Sequence, residues 1–265
     1  MPNHVRNVLQ FKTDVKKLNQ ILSEIQNDKE GIGSIDFNKI TPMPQELNIE
    51  KGSRTTKGCE MFEDFCKKVQ QIKSMVEPQN LTPERYKWAN EQKDELLNKF
   101  NSMCDEDKEL FNLGKQFFEN VNNYGYGDWY DWSVANWGTK WNAYDSYHNK
   151  DTIEFNTAWS TPEPIIVAIS NKYPDVKINH CWADEDMGTN LGEREYLNGE
   201  TTYENIPDAF SKEAYDIAFK VWEEIPENYG LKLSDDGTEY VEYDEETDNP
   251  LLLTDADETD DEIEE

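Results

Sequence analysis

Residues 124–160 read YGYGDWYDWSVANWGTKWNAYDSYHNKDTIEFNTAWS, and they hold five of the chain's eight tryptophans: Trp129, Trp132, Trp137, Trp141 and Trp159. Aromatic side chains bury large areas and set core geometry, so the core is expected to gather here. Asp128 is placed to cap a short helix running through Trp137, and Gly138 suits the left-handed residue that ends one. Residues 139–147 and 152–159 then read as two strands joined at His148-Asn149-Lys150-Asp151. In the second, Ile153, Phe155, Thr157 and Trp159 share a face.

Downstream of this stretch, Ser160-Thr161-Pro162 opens a helix with Ile165, Ile166 and Ile169 on its buried side. Residues 176–183 form a strand with Val176, Ile178, His180 and Trp182 on one face, and residues 189–197 return as another. Upstream, residues 5–11 alternate as a strand, with Val5, Leu9 and Phe11 inward and Asn7 out of pattern among them. Asp14 caps a helix carrying Val15, Leu18, Ile21, Leu22 and Ile25 at helical spacing. Residues 34–40 read as a second strand, closed by Pro42 and Pro44.

Residues 45–122 interrupt this order with helices over 60–76, 83–101 and 105–121. With them removed, the order is β-α-β, β-α-β and one added strand. The expected fold is therefore α+β, a ferredoxin-like βαβ-βαβ antiparallel sheet with a large helical insertion. The domain comprises residues 1–44 and 123–200. Residues 201–245 add a helix (209–223) and a hairpin about Asp235-Asp236-Gly237, and residues 246–265 form a disordered acidic tail with one apolar patch at residues 251–253.

The formal charge is −30, of which residues 233–265 supply 16 acidic groups without a Lys or Arg, leaving −14 elsewhere. A body this acidic repels nucleic-acid phosphates and is drawn to basic surfaces. No apolar run approaches a membrane span, and the start lacks a signal-peptide pattern, so a cytoplasmic protein is expected. The four cysteines show no C-x-x-C pair, which argues against disulfides and zinc. Neither cofactor nor metal is called for.

Catalytic signatures are missing. His180 and Cys181 are neighbours on a strand and face opposite ways, so His180 reads as a core residue. A Cys181 nucleophile served by His148 is the weakest of the functional readings. Asp184-Glu185-Asp186-Met187-Gly188 fails the calcium-loop spacing at its fifth and sixth positions. In Asn136-Trp137-Gly138-Thr139-Lys140-Trp141-Asn142, Trp137 and Trp141 flank Lys140 and offer a stacking site for a flat ligand. The heavier reading of both indoles is as core.

These residues also carry a resemblance. Met1-Pro2-Asn3 with Asn7 and Leu9, Asn136 through Trp141, and Phe155-Asn156-Thr157-Ala158-Trp159-Ser160 with Pro162 and Pro164 resemble the YubB ferredoxin-like family of phage and plasmid proteins. The resemblance implies a ferredoxin-like fold and a mobile-element origin, and it implies no reaction. His4 and Val5 replace the family's more usual Trp and Cys, and Asn142 replaces a usual Asp, which puts any polar role of that Asp in doubt.

The expected function is that of a phage accessory, anti-defence protein, not an enzyme. It would bind and inhibit a host protein with a basic nucleic-acid-binding surface, in the bacterial cytoplasm, without binding nucleic acid or membrane itself. Acidic side chains would mimic the nucleic acid, through Glu60, Asp64, Asp105, Glu106, Asp107 and Glu109 with Asp235, Asp236 and Glu239. The alternative is a nucleotide or signalling-molecule binding module using the face of Trp137, Lys140 and Trp141.

Overall fold

A computed structural model of the chain describes residues 3–243. The expected tail over 246–265, with its leucines at 251–253, lies outside the described residues. The chain begins with β1 (His4–Lys12), α1 (Val15–Ile25) and a single turn, α2 (Phe37–Ile40). Then come α3 (Ser53–Met75), α4 (Pro83–Asn101), α5 (Asp105–Tyr124) and α6 (Trp129–Trp137). It continues through β2 (Tyr144–Asn149), β3 (Thr152–Ala158), α7 (Glu163–Lys172), β4 (Lys177–Asp184), β5 (Gly192–Leu197) and β6 (Glu200–Asn205). It closes with α8 (Lys212–Trp222) and the hairpin of β7 (Leu231–Leu233) and β8 (Tyr240–Glu242).

The main sheet runs β2-β3-β1-β4-β5-β6, every pair antiparallel. In β1-α1-β2 the two strands are split by β3, and in β3-α7-β4 they are split by β1. That is the split βαβ arrangement of a ferredoxin-like sheet, extended at one edge by β5 and β6. The chain is α+β.

Two units form: residues Met1–Ile40 with Trp141–Glu265, and Thr41–Lys140. In the sheet unit Val5, Leu9 and Phe11 of β1, Ile153 and Phe155 of β3 and Ile178 of β4 are at most 1% exposed. Asp14 caps α1 by accepting from Lys17 N at 3.0 Å. Phe37 meets Phe155 edge-on with centroids 6.1 Å apart, which sets the α1, α2 and α7 layer on this face. On the other face α8 packs Ala214, Ile217, Ala218 and Val221 against Ala183, Leu191, Val8 and Cys181.

Four expectations are corrected. Residues 34–40 are not a strand. Ile35 and Phe37 are buried in alternation, but the amides of Asp36 and Phe37 are taken by Ile25 O (2.7 Å) and Asn142 Oδ1 (2.8 Å), so no ladder can form. The second strand of the first half is β2, and the insertion precedes it. Residues 189–197 do not end the sheet, because β6 follows. Trp159 does not continue the inward row of β3. Its φ is +68°, and it is 45% exposed.

In the insertion unit, α3 and α5 cross at Gly58 and Gly114. A Cβ on Gly114 would lie 2.0 Å from Gly58 O, so the two backbones touch and only glycine fits. Around the crossing Phe62, Phe65, Phe100 and Phe111 meet edge-on or tilted at 5.2–6.5 Å. Helix α3 starts at Ser53, within a segment whose polarity reads as loop, because Thr55 is buried and its hydroxyl bonds Glu50 O.

Candidate functional site

Among the acidic residues expected to meet a partner, Glu60, Asp64, Asp105, Glu106 and Glu109 are exposed on the insertion, and Asp107 is half-buried. Glu109 lies 3.6 Å from Arg54. Asp235, Asp236 and Glu239 are exposed on the β7–β8 turn of the other unit. Asp236 is held by that turn: its Oδ1 accepts from Thr238 Oγ1 (2.7 Å), Ser234 Oγ (2.8 Å) and Thr238 N (3.1 Å). These bonds, that of the Thr238 hydroxyl foremost, hold its carboxyl below the usual range.

Charge is unevenly shared. Residues 41–140 carry 17 acidic and 13 basic side chains, whereas residues 3–40 and 141–243 carry 27 and 13. The sheet unit is therefore the negative body, and the insertion is close to balanced.

Trp137 is 5% exposed, donates its Nε1–H to Thr41 O at 2.9 Å and meets Trp132 edge-on at 5.4 Å. It is a core side chain, capped at its polar end. Lys140 Nζ lies 5.8 Å from the Tyr130 ring centroid in the same unit. Trp141, 39% exposed, belongs to the other unit. The structure therefore buries Trp137, the first member of the expected stacking pair.

His180 and Cys181 do point to opposite faces. His180 is fully buried, and its Nε2 bonds Asn7 Oδ1 at 3.1 Å. Asn7, the residue out of pattern in β1, also donates to Thr157 Oγ1 (2.9 Å) and accepts from Thr161 Oγ1 (2.8 Å). The ring of His180 stacks on Trp182 at 4.9 Å, and the Arg194 guanidinium lies over Trp182 at 5.1 Å. Burial, with Arg194 adding repulsion, pulls the imidazole down to about 3, so it is neutral at physiological pH.

Cys181 lies on the α8 side. Its Sγ is 3.4 Å from Glu193 Oε1, which also accepts from Lys220 Nζ at 2.8 Å. Burial pushes the thiol up to about 11, against the opposing pull of Lys220. A thiol held protonated is a poor nucleophile. His148, its imagined base, sits at the end of β2 and bonds Lys150 O at 2.7 Å. Among the described residues no group of three His, Cys, Asp or Glu side chains could hold a metal.

The sheet face left open beside α8 forms a groove of about 420 Å³, with Val8, Cys181, Glu193 and Lys220 at one end and Asn179 and Glu195 in its floor. Sequence reasoning missed Glu193 and Lys220. Period-two alternation of β4 could have put Cys181 and Asn179 on one face, but nothing local fixes which residues of β5 and α8 face them.

Residues 136–224, about a third of the chain, match the model of the ferredoxin-like domain in Api92-like protein. That span includes both tryptophan motifs and runs from the end of α6 through α8. The crystal structure of a protein api92 from Yersinia pseudotuberculosis aligns over 79% of this chain and 99% of its own, at 10% identity and a TM-score of 0.36. No curated protein matches the sequence.

Proposed function

We propose that this chain is a non-enzymatic binding protein that engages a basic surface on a host protein handling nucleic acid, and so blocks it. The supporting observation is the charge division: an acidic ferredoxin-like unit beside a nearly balanced insertion. A unit with twice as many acids as bases draws a basic partner at long range and loses that pull as salt rises. The burial of His180 and the raised thiol of Cys181 weigh on the same side. The phage setting comes from the YubB resemblance, the anti-defence role from that setting together with the charge of −30 and the missing catalytic signatures, and both belong to this proposal. Of the acidic residues read from the sequence, Asp235, Asp236 and Glu239 lie on the more negative unit.

The test is affinity purification from bacterial lysate at about 50 mM and about 500 mM salt, followed by an activity assay on whatever nuclease or nucleic-acid-binding complex is retained. Recovery of such a protein at low salt, its loss at high salt and inhibition of its activity are expected. Failure to retain any nucleic-acid-handling protein at low salt overturns the proposal. The nucleotide-binding alternative, through Trp137, Lys140 and Trp141, has less support, since Trp137 is 5% exposed.

A further inference from the structure

The floor of the open groove is a single cross-strand row. Thr152 of β3 pairs with Gln10 of β1, Gln10 with Asn179 of β4, Asn179 with Glu195 of β5, and Glu195 with Tyr203 of β6. Side chains at paired positions share a face. Five strands thus bring a hydroxyl, two carboxamides, a carboxylate and a phenol into one line. The adjacent row, Val8, Cys181 and Glu193, closes the groove toward α8.

Hydrogen-bond accounting gives this row a direction. Asn179 Oδ1 is buried and accepts from no group among the described residues. Glu195 takes Lys177 Nζ at 2.9 Å and Thr202 Oγ1 at 2.7 Å, both on Oε1. Glu193 likewise takes Lys220 and Cys181 on Oε1. Among the described residues nothing donates to Oε2 of either carboxylate. Of these oxygens Asn179 Oδ1 is buried, where a polar atom is ordinarily paired, while the two Oε2 atoms belong to carboxylates about a quarter exposed and stay open to a donor from solvent. Beside them Tyr203 is 53% exposed.

We infer that this groove binds a guanidinium group, the side chain of an arginine presented by the basic partner. A guanidinium supplies five N–H donors in a plane and no acceptor, so it matches a set of unfilled oxygens. Its flat face stacks on an aromatic ring, as Tyr203 offers. A cavity of about 420 Å³ is of the size that takes a small ligand or one long side chain. Within the groove Glu193 and Glu195 are matched by Arg194 and Lys220, so the preference for a cation over a phosphate-bearing ligand comes from the surplus of acids on the surrounding unit. This inference deepens the proposed function and rests on it for the partner's basic character.

The test titrates the isotope-labelled full chain with acetyl-Gly-Arg-Gly-amide, and with its citrulline analogue, which keeps the shape and loses the charge. Expected are saturable amide shifts at Asn179, Glu195 and Tyr203 with the arginine peptide, and binding at least about tenfold weaker with citrulline. Asn179→Leu should weaken arginine binding by about tenfold, and Asn179→Asp, which adds a charged acceptor, should tighten it. Glu195→Gln serves as the second weakening variant, each variant being accepted only if its spectrum keeps native dispersion. Shifts spread over the acidic exterior with the groove unmoved, or equal binding by Asn179→Leu and Asn179→Asp, overturn the inference while leaving the acidic-surface reading in place. No shift anywhere also overturns the inference, while the acidic-surface reading is decided by the affinity purification.

Discussion

In the sheet unit, Val5, Leu9, Phe11, Ile153, Phe155 and Ile178 are each at most 1% exposed. In the insertion, the 23 residues of α3 bury only Thr55 and Gly58, and the 19 residues of α4 only Ala89. The first is held by apolar area taken from water. The second is held by a backbone crossing at Gly58 and Gly114, with half-buried Phe62, Phe65 and Phe100 gathered on a buried Phe111. It even keeps a recess of about 130 Å³ lined by Met61, Phe65, Leu96, Phe100 and Phe111. The lesson is that helices this polar are placed by one close approach, not by a filled interior.

The sharpest way to break this contrast is Phe155→Ala, which should cost the sheet unit about 3–5 kcal/mol in urea denaturation followed by amide exchange. A cost under about 1 kcal/mol would mean the core is looser than its burial implies. Next, Gly114→Val should destabilise the insertion by about 2–4 kcal/mol, because the new side chain meets backbone that cannot swing aside. Exchange should rise in α3 and α5 while β1 and β4 keep their protection. Equal loosening of both would erase the distinction.

The third prediction concerns pH. His180 is neutral when folded, with its ionisation lowered from 6.5 to about 3, so the unfolded chain binds the extra proton. Its contribution is fully present above pH 6.5 and is lost progressively as pH falls toward 3, by up to about 1.4 kcal/mol per unit. Denaturation midpoints at pH 7 and pH 5 should differ less in His180→Gln than in the parent, and an unchanged difference would remove His180 from the account. The smallest effect is Asp128→Ala. Asp128 caps α6 by accepting from Tyr130 N and Asp131 N at 3.0 and 3.2 Å, so its loss should cost about 1 kcal/mol, read as faster exchange in α6.

Strands β1, β3 and β4 were legible because one face of each is buried and the alternation survives in the residues. Asp14, Asp128 and Gly138 were legible because capping chemistry is local. The edge strands were harder. Residues 200–204 of β6 are all exposed, so β6 has no apolar alternation and exists through its ladder with β5. Residues 34–40 misled because Ile35 and Phe37 are buried two apart, as in a strand, while their backbone bonds go elsewhere. The groove was illegible for a deeper reason. Its row is set by the register of five strands, and register is not written in any one of them.

Asn142 accepts from Phe37 N and donates its Nδ2 to Asp36 Oδ1 at 2.7 Å. An aspartate could not make the second bond. On the insertion's own side, the Trp137 indole reaches Thr41 O. Each unit thus ties off its own loose ends where the chain passes to the other, one with a carboxamide and one with an indole. One hydrogen bond, from Asn142 to Asp36, joins the two stretches at which the chain leaves the sheet unit and returns to it.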